Sequence, residues 1–165
     1  MASKRHYTSL VLAAGIFSLL VAVCFRFRDG VPMGVDSSSH LFKVLFIYKT
    51  FSVGGSLPSW CSEWYGGTAF LLSYPPLAYG ISFLFSIITK DPLLSYKILD
   101  AVFYAIGPIA LAYLINHLGF TKGEAAISAV LFALSPIVME NYLFFDRFNT
   151  TISIPLLCLF LVALL

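Results

Sequence analysis

The chain alternates long apolar runs with polar interruptions, on the length scale of membrane-spanning helices. An uncharged run extends from Tyr7 to Phe25, which is close to the roughly 20 residues that a spanning helix needs. Further apolar runs follow after residue 97, and short polar segments separate them. The pattern predicts transmembrane helices at residues 7–26, 98–117, 125–143 and 152–165.

A segment of different character, residues 27–97, separates the first two predicted spans. Gly and Pro interrupt it repeatedly, which breaks regular helix, while its aromatic content argues against disorder. An amphipathic helix is predicted at residues 37–51, lying at the membrane interface. Polar side chains fall near one stripe of this helix, namely Asp36, His40, Lys43 and Thr50. The apolar run 77–89 is short for a span and is predicted to be a second interfacial helix.

Composition supports a membrane protein. Of the 165 residues, 59% are hydrophobic and 11% are charged, against about 45–50% apolar and about 25% charged in soluble domains. Together with the mean hydropathy of +0.91, this argues against a soluble or disordered chain. We therefore expect an all-α fold, a polytopic transmembrane helix bundle with a long extracytoplasmic first loop that carries juxtamembrane helices. The expected location is the plasma membrane, with the lipid bilayer as partner.

Charge bears on partners and topology. Ten Lys and Arg against eight Asp and Glu leave a net charge of +2, too small for a nucleic-acid surface, so no nucleic-acid partner is expected. Basic residues before the first span favour a cytoplasmic N-terminus, although Arg26 and Arg28 beyond it weaken that argument. If 77–89 does not span, the loop 27–97 and the polar segment around Asp146 share one side. The shortness of the run 77–89 favours this arrangement, in which both segments lie on one side of the membrane.

Asp36 is the first candidate for chemistry. It precedes three serines and His40, and Asp is a strong helix N-cap, so a purely structural role stays open. His40 lies one turn further on and could share a ligand with Asp36. Two hard or borderline ligands suit Mg²⁺ or Mn²⁺, held partly by a substrate phosphate, better than zinc.

Two further acidic residues lie among polar or aromatic neighbours. Glu63 stands between Trp60 and Trp64, which are typical anchors at a membrane interface. Asp146 and Arg147 open a polar segment after the third predicted span. They are adjacent, so an exposed ion pair of little energetic value is an alternative to a functional role.

The order of motifs adds a resemblance. After the first span come Gly34-Val35-Asp36, then Gly55-Ser56-Leu57-Pro58-Ser59-Trp60, Tyr65-Gly66-Gly67 and Tyr74-Pro75-Pro76-Leu77-Ala78-Tyr79. This order resembles the opening of integral-membrane glycosyltransferases of the C superfamily (GT-C). More narrowly, it resembles the prokaryotic membrane proteins labelled 6-pyruvoyl-tetrahydropterin synthase-related.

The resemblance implies sugar transfer from a polyprenyl-phosphate-linked donor on the extracytoplasmic face. It matches Asp36 to the catalytic acidic residue of the first loop, and Asp146 to a second acidic residue after a later span. Such enzymes usually have eight or more spans, so residues 1–165 are expected to be a single transmembrane domain from the N-terminal portion of a longer module. The expected substrate-binding residues are His40, Lys43, Glu63 and Arg147, and the expected metal ligands are Asp36, His40 and Asp146.

Two other classes of function remain open. The chain could be a non-catalytic membrane subunit, or a fragment, that assembles with other membrane subunits through exposed helix faces. A transporter is the third alternative, indicated by kinks at Gly107-Pro108 and Pro136. We rank it last because the sequence places no charged residue in the middle of a predicted span.

Overall fold

Helices make up most of the chain in the computed structural model, which describes residues 2–64, 66–72 and 74–165. Tyr65 of the Tyr65-Gly66-Gly67 motif lies outside the described residues. Two short strands inside the first loop pair antiparallel, with Trp60 opposite Ala69. In chain order the elements are α1 (Ala2–Arg26), α2 (Ser37–Gly54), β1 (Trp60–Cys61), β2 (Thr68–Ala69), α3 (Pro76–Thr89), α4 (Pro92–His117), α5 (Lys122–Leu134), α6 (Pro136–Glu140), a π-helical turn (Asn141–Phe145) and α7 (Phe148–Leu164).

The expectation of membrane-spanning helices is met at a coarse level. Among the described residues, His6–Arg26 of α1 and the whole of α4 are long and apolar enough to cross a membrane. Helix α5 and the segment Pro136–Phe145 make a third candidate if this pair, bent by 45°, is one span. Helix α7 has 17 residues and falls with α3 among the shorter apolar helices. The span at 152–165 therefore stays a prediction.

Local sequence explains where the helices begin and end. Helix α4 starts six residues before its predicted position because Asp91 caps it, accepting a hydrogen bond from Leu94 N at 3.0 Å, and Pro92 occupies its first turn. Helix α2 runs three residues past its predicted end and stops at Gly55, whose φ is 66°. Pro136 breaks the third candidate span, as the sequence predicted.

Two clusters of buried side chains position the elements. Helix α4 packs against α1, α5 and α7. Alanines line the contact among α1, α4 and α5 (Ala14, Ala112, Ala125, Ala126, Ala129 and Ala133), and small residues let membrane helices approach closely. The second cluster joins α2 and α3 to α4 and α7 through larger side chains, including Leu41, Val44, Tyr79, Phe83, Tyr96 and Phe148. It fixes α2 against the end of the helix bundle.

Two members of the predicted polar stripe of α2 lie on its inner face. His40 and Lys43 are both buried, beside Leu41 and Val44, whereas Leu45 is 43% exposed. The buried face of α2 is therefore mixed, and its outward positions carry Lys49 as well as Leu45. The clean polar stripe of the sequence prediction is absent, and the interfacial position of α2 stays a prediction.

The first loop meets the segment after the third candidate span. Val35 N donates to Phe144 O at 2.9 Å, and Asp36 N donates to Phe145 O at 3.2 Å. The two segments predicted to share a compartment are therefore in direct contact. The side of the membrane they occupy, and a cytoplasmic N-terminus, stay predictions.

Cysteine labelling tests this topology. In a variant lacking Cys24, Cys61 and Cys158, we expect Ser56→Cys and Thr150→Cys to react with a membrane-impermeant maleimide from outside intact cells, because both positions are exposed. Lys122→Cys, at the exposed first residue of α5, should react only after permeabilisation. Labelling of positions 56 and 150 from opposite sides would contradict the contact between the two segments.

Candidate functional site

Asp36 and Arg147 form an accessible ion pair at the start of α2. Asp36 Oδ2 lies 3.4 Å from Arg147 Nη1, and their side chains are 36% and 51% exposed. Asp36 occupies the N-cap position of α2, but its side chain makes no capping hydrogen bond. An exposed ion pair contributes at most about 1 kcal/mol, so this carboxylate has no evident task in stabilising the helix.

The backbone beside Asp36 is held by close packing. A Cβ at Gly34 would lie 2.6 Å from Asp146 Cβ and 2.7 Å from Ser37 Oγ. Only glycine fits this contact, which accounts for Gly34 in the Gly34-Val35-Asp36 motif. The approach of Gly34 to Asp146 places Asp36 next to Arg147.

Asp146 is fully buried and serves as an acceptor inside the structure. Its carboxylate accepts hydrogen bonds from the Ser37 hydroxyl, from Tyr96 Oη at 2.5 Å and from Arg26 Nη2 at 2.8 Å. The alternative of an exposed pair between Asp146 and Arg147 is wrong, because Arg147 pairs with Asp36 instead. Asp146 is therefore closed off from solvent, whereas the Asp36 side chain is accessible.

Arg26 and Asp100 complete this buried network, and neither was predicted to be functional. Arg26 Nε lies 2.8 Å from Asp100 Oδ2, with both side chains almost wholly buried, and Arg26 also donates to the carbonyl of Tyr142. One guanidinium thus serves two carboxylates. The sequence did contain a signal for this pair, because Arg26 and Asp100 carry opposite charges next to or within apolar runs. Charged residues in membrane-spanning helices commonly pair with one another. Asp100 lies in the third turn of α4, so a candidate span does contain a buried charged residue, of the kind that marks pathways in transporters.

His40 belongs to a second buried chain of hydrogen bonds. Its Nδ1 lies 2.7 Å from Tyr79 Oη, and Asn149 Nδ2 donates to the same oxygen at 3.1 Å. Tyr79 Oη thus links His40 and Asn149 in one chain of hydrogen bonds. Burial lowers the pKa of His40 and raises the pKa of Tyr79, so both are neutral at pH 7.

The expected metal ligands do not assemble into a metal site. Asp146 is enclosed by Arg26, Ser37 and Tyr96, and His40 Nδ1 is engaged by Tyr79. Across the described part of the chain, no group of three or more His, Cys, Asp and Glu side chains is placed to hold a metal ion. A divalent cation near Asp36 would depend on substrate oxygens for most of its ligands.

Lys43 borders a cavity of about 270 Å³ between α2 and the strand pair, with walls formed by Phe42, Trp64, Thr68, Ala69, Phe70, Leu71 and Tyr74. Lys43 Nζ donates to Ser39 O at 3.1 Å and to Ser39 Oγ at 2.7 Å. Burial lowers the pKa of Lys43 to about 8. Glu63, predicted to bind substrate, is exposed and accepts a hydrogen bond from Cys61 Sγ at 3.6 Å; it is not among the residues that line this cavity.

Arg147 borders a second, narrower cavity of about 70 Å³. The cavity is polar where Arg147, Asn141 and Thr150 line it, and mainly apolar elsewhere, with walls from Phe103, Gly107, Phe132, Val138, Ile154 and Pro155. It lies among α4, α5 and α7. Arg147 therefore connects Asp36 with an apolar recess between α4, α5 and α7.

No protein-family model, curated protein or solved structure matches this chain. The geometry of these sites and the order of the motifs are therefore the observations that bear on function.

Proposed function

We propose that this chain carries the donor site of a membrane glycosyltransferase that uses a polyprenyl-phosphate-linked sugar on the extracytoplasmic face. The observation that carries the proposal is the accessible Asp36–Arg147 pair beside the apolar recess. The Asp36 carboxylate, which has no capping role, suits acid–base chemistry. The Arg147 cation suits the donor phosphate, and the apolar recess suits the lipid. The resemblance of the motif order to GT-C enzymes supports the same assignment.

In the proposed reaction, an acceptor hydroxyl oxygen attacks the anomeric carbon of the donor sugar. The bond from that carbon to the phosphate oxygen breaks, and polyprenyl phosphate leaves with the electron pair. Asp36 takes the proton of the acceptor hydroxyl, a step that a positioned base accelerates by about 10²–10⁴-fold. Arg147 pairs with the leaving phosphate, since guanidinium groups bind phosphate through charge-assisted hydrogen bonds.

The recess next to Arg147 suits the lipid part of the donor. A lipid-linked substrate diffuses within the bilayer, so its phosphate is expected at the membrane surface and its first isoprene units among the helices. The recess offers a cation for the phosphate at its polar end, where Arg147 lies. It offers an apolar surface for the isoprene units along its walls, which include Phe103, Phe132 and Ile154.

Replacing Arg147 by Gln tests donor binding. We expect Arg147→Gln to weaken binding of a short-chain polyprenyl phosphate to the purified protein in nanodiscs by about tenfold or more, because a hydrogen bond to a charged group contributes about 1.5–3 kcal/mol. Arg28→Gln is the matched control, since Arg28 is also exposed near the end of α1 and lies outside this recess. Equal loss in both variants, or no loss in Arg147→Gln, would contradict the proposal.

The subunit alternative makes a different prediction in the same assay. A non-catalytic partner of other membrane subunits would bind polyprenyl phosphate no better than the Arg147→Gln variant does. Sugar transfer would then be absent from the purified chain in every variant.

A further inference from the structure

Lys43 is a buried ammonium group without a carboxylate partner. The residue is 4% exposed, and its hydrogen bonds go to the neutral oxygens of Ser39. Within the described ranges, the ion pairs involve Arg26 and Arg147, and none involves Lys43. Burying a charge without a counter-charge costs free energy, so the position calls for an explanation.

Aromatic rings compensate only part of that cost. Lys43 Nζ lies 3.9 Å from the ring centroid of Tyr74 and 4.7 Å from that of Trp64, distances at which a cation is attracted to a ring face. Phe42 stacks on Trp64 with centroids 4.7 Å apart. Burial lowers the pKa of Lys43 to about 8, and the more distant charge of Asp36 opposes that shift, so the ammonium that faces these rings is charged at pH 7.

The cavity beside Lys43 has the size and lining of a small ligand site. Its volume of about 270 Å³ is near the lower end of small-molecule pockets, which run from about 300 to 1,000 Å³. Trp64 and Tyr74 line it with aromatic surface next to Lys43, and Thr68 adds a hydroxyl. One six-membered ring bearing one anionic group matches this combination of aromatic walls and a single cation.

We propose that this cavity binds an acidic sugar, with its pyranose ring against Trp64 and Tyr74 and its carboxylate or phosphate paired with Lys43. The inference rests on the proposed function, in which this sugar belongs to the acceptor. Lys43 follows Asp36 by seven residues, about 10 Å along the helix axis at 1.5 Å per residue. That offset places the acidic ring beside the reacting hydroxyl rather than on it.

Trp64 itself can report binding, because the chain contains two tryptophans. In a Trp60→Phe variant in nanodiscs, we expect sodium glucuronate or glucose 6-phosphate to change Trp64 fluorescence saturably, with at least tenfold weaker binding of glucose. Comparing the two acids distinguishes a carboxylate ligand from a phosphate ligand. Inorganic phosphate binding as tightly as glucose 6-phosphate would overturn the assignment to a sugar.

Lys43→Met should abolish the preference for acidic sugars, and Lys43→Arg should retain it. Lys49→Met is the matched control, since it removes the same charge from an exposed position of the same helix. We expect Lys43→Met to unfold at an equal or higher temperature, because it removes an unpaired buried charge. An unchanged preference in Lys43→Met would overturn the proposal, and so would loss of the preference in Lys49→Met.

The two proposals fail separately. Asp36→Asn should retain the preference for acidic sugars, because Asp36 is not among the residues that line this cavity, while it slows sugar transfer by about 10²–10⁴-fold. If glucuronate does not bind but sugar transfer depends on Asp36, the acidic-sugar site alone is overturned. Binding that persists while no variant affects transfer would overturn the donor site alone.

Discussion

Asp36→Asn is expected to reduce the rate of sugar transfer by about 10²–10⁴-fold, the range attributed to a positioned general base. The substitution removes the basicity of the side chain and keeps its size. It leaves the start of α2 intact, because the Asp36 side chain makes no capping hydrogen bond there. The measurement is transfer from a polyprenyl-phosphate sugar by the purified protein in proteoliposomes.

Folding must be measured in parallel to interpret that result. The exposed pair with Arg147 is worth at most about 1 kcal/mol, so the thermal midpoint of Asp36→Asn should stay close to that of the parent protein. Asp29→Asn supplies the control, since Asp29 is an exposed carboxylate just beyond α1. Wild-type turnover in Asp36→Asn would remove the central residue of the proposed mechanism.

The local signals of the sequence predicted most helices and missed some of their ends. The Pro75-Pro76 pair marks the start of α3, and Pro136 marks a break within a run that hydropathy presents as continuous. The start of α4 was placed too late, although Asp91-Pro92 is an N-cap followed by Pro in the first turn. The prediction used the start of the apolar run, whereas the Asp91 cap gives the observed start of the helix at Pro92.

The candidate site was predictable only where its partners are neighbours in sequence. Helical spacing predicts that Asp36, His40 and Lys43 lie close together. The pairing of Asp36 with Arg147 depends instead on how the first loop meets the segment before α7. Hydropathy and spacing carry no information on such contacts. Asp146 was matched by position alone, and its burial depends on Arg26, 120 residues away in the chain.

The buried network leads to the second large effect. Arg26→Met leaves Asp100 and Asp146 buried without their shared cation, and removing one partner of a buried ion pair costs about 3–5 kcal/mol. Because whole proteins are stable by only about 5–15 kcal/mol, we expect a large fall in the yield of folded protein. Reactivity of Cys61 and Cys158, both buried, measures the unfolding temperature in a Cys24→Ser background.

Asp146→Asn distinguishes the loss of charge balance from the loss of a hydrogen-bond acceptor. Asn retains an oxygen for Tyr96 or Ser37, tolerates the left-handed backbone of residue 146 (φ 55°), and leaves Arg26 paired one-to-one with Asp100. Its cost should therefore be nearer 1–3 kcal/mol, about that of an impaired buried hydrogen bond. Sugar transfer should then fall through displacement of Gly34 and Asp36, with a weaker effect than Asp36→Asn has. If Asp146→Asn destabilised the protein more than Arg26→Met, the shared guanidinium would not be the group that balances the two carboxylates.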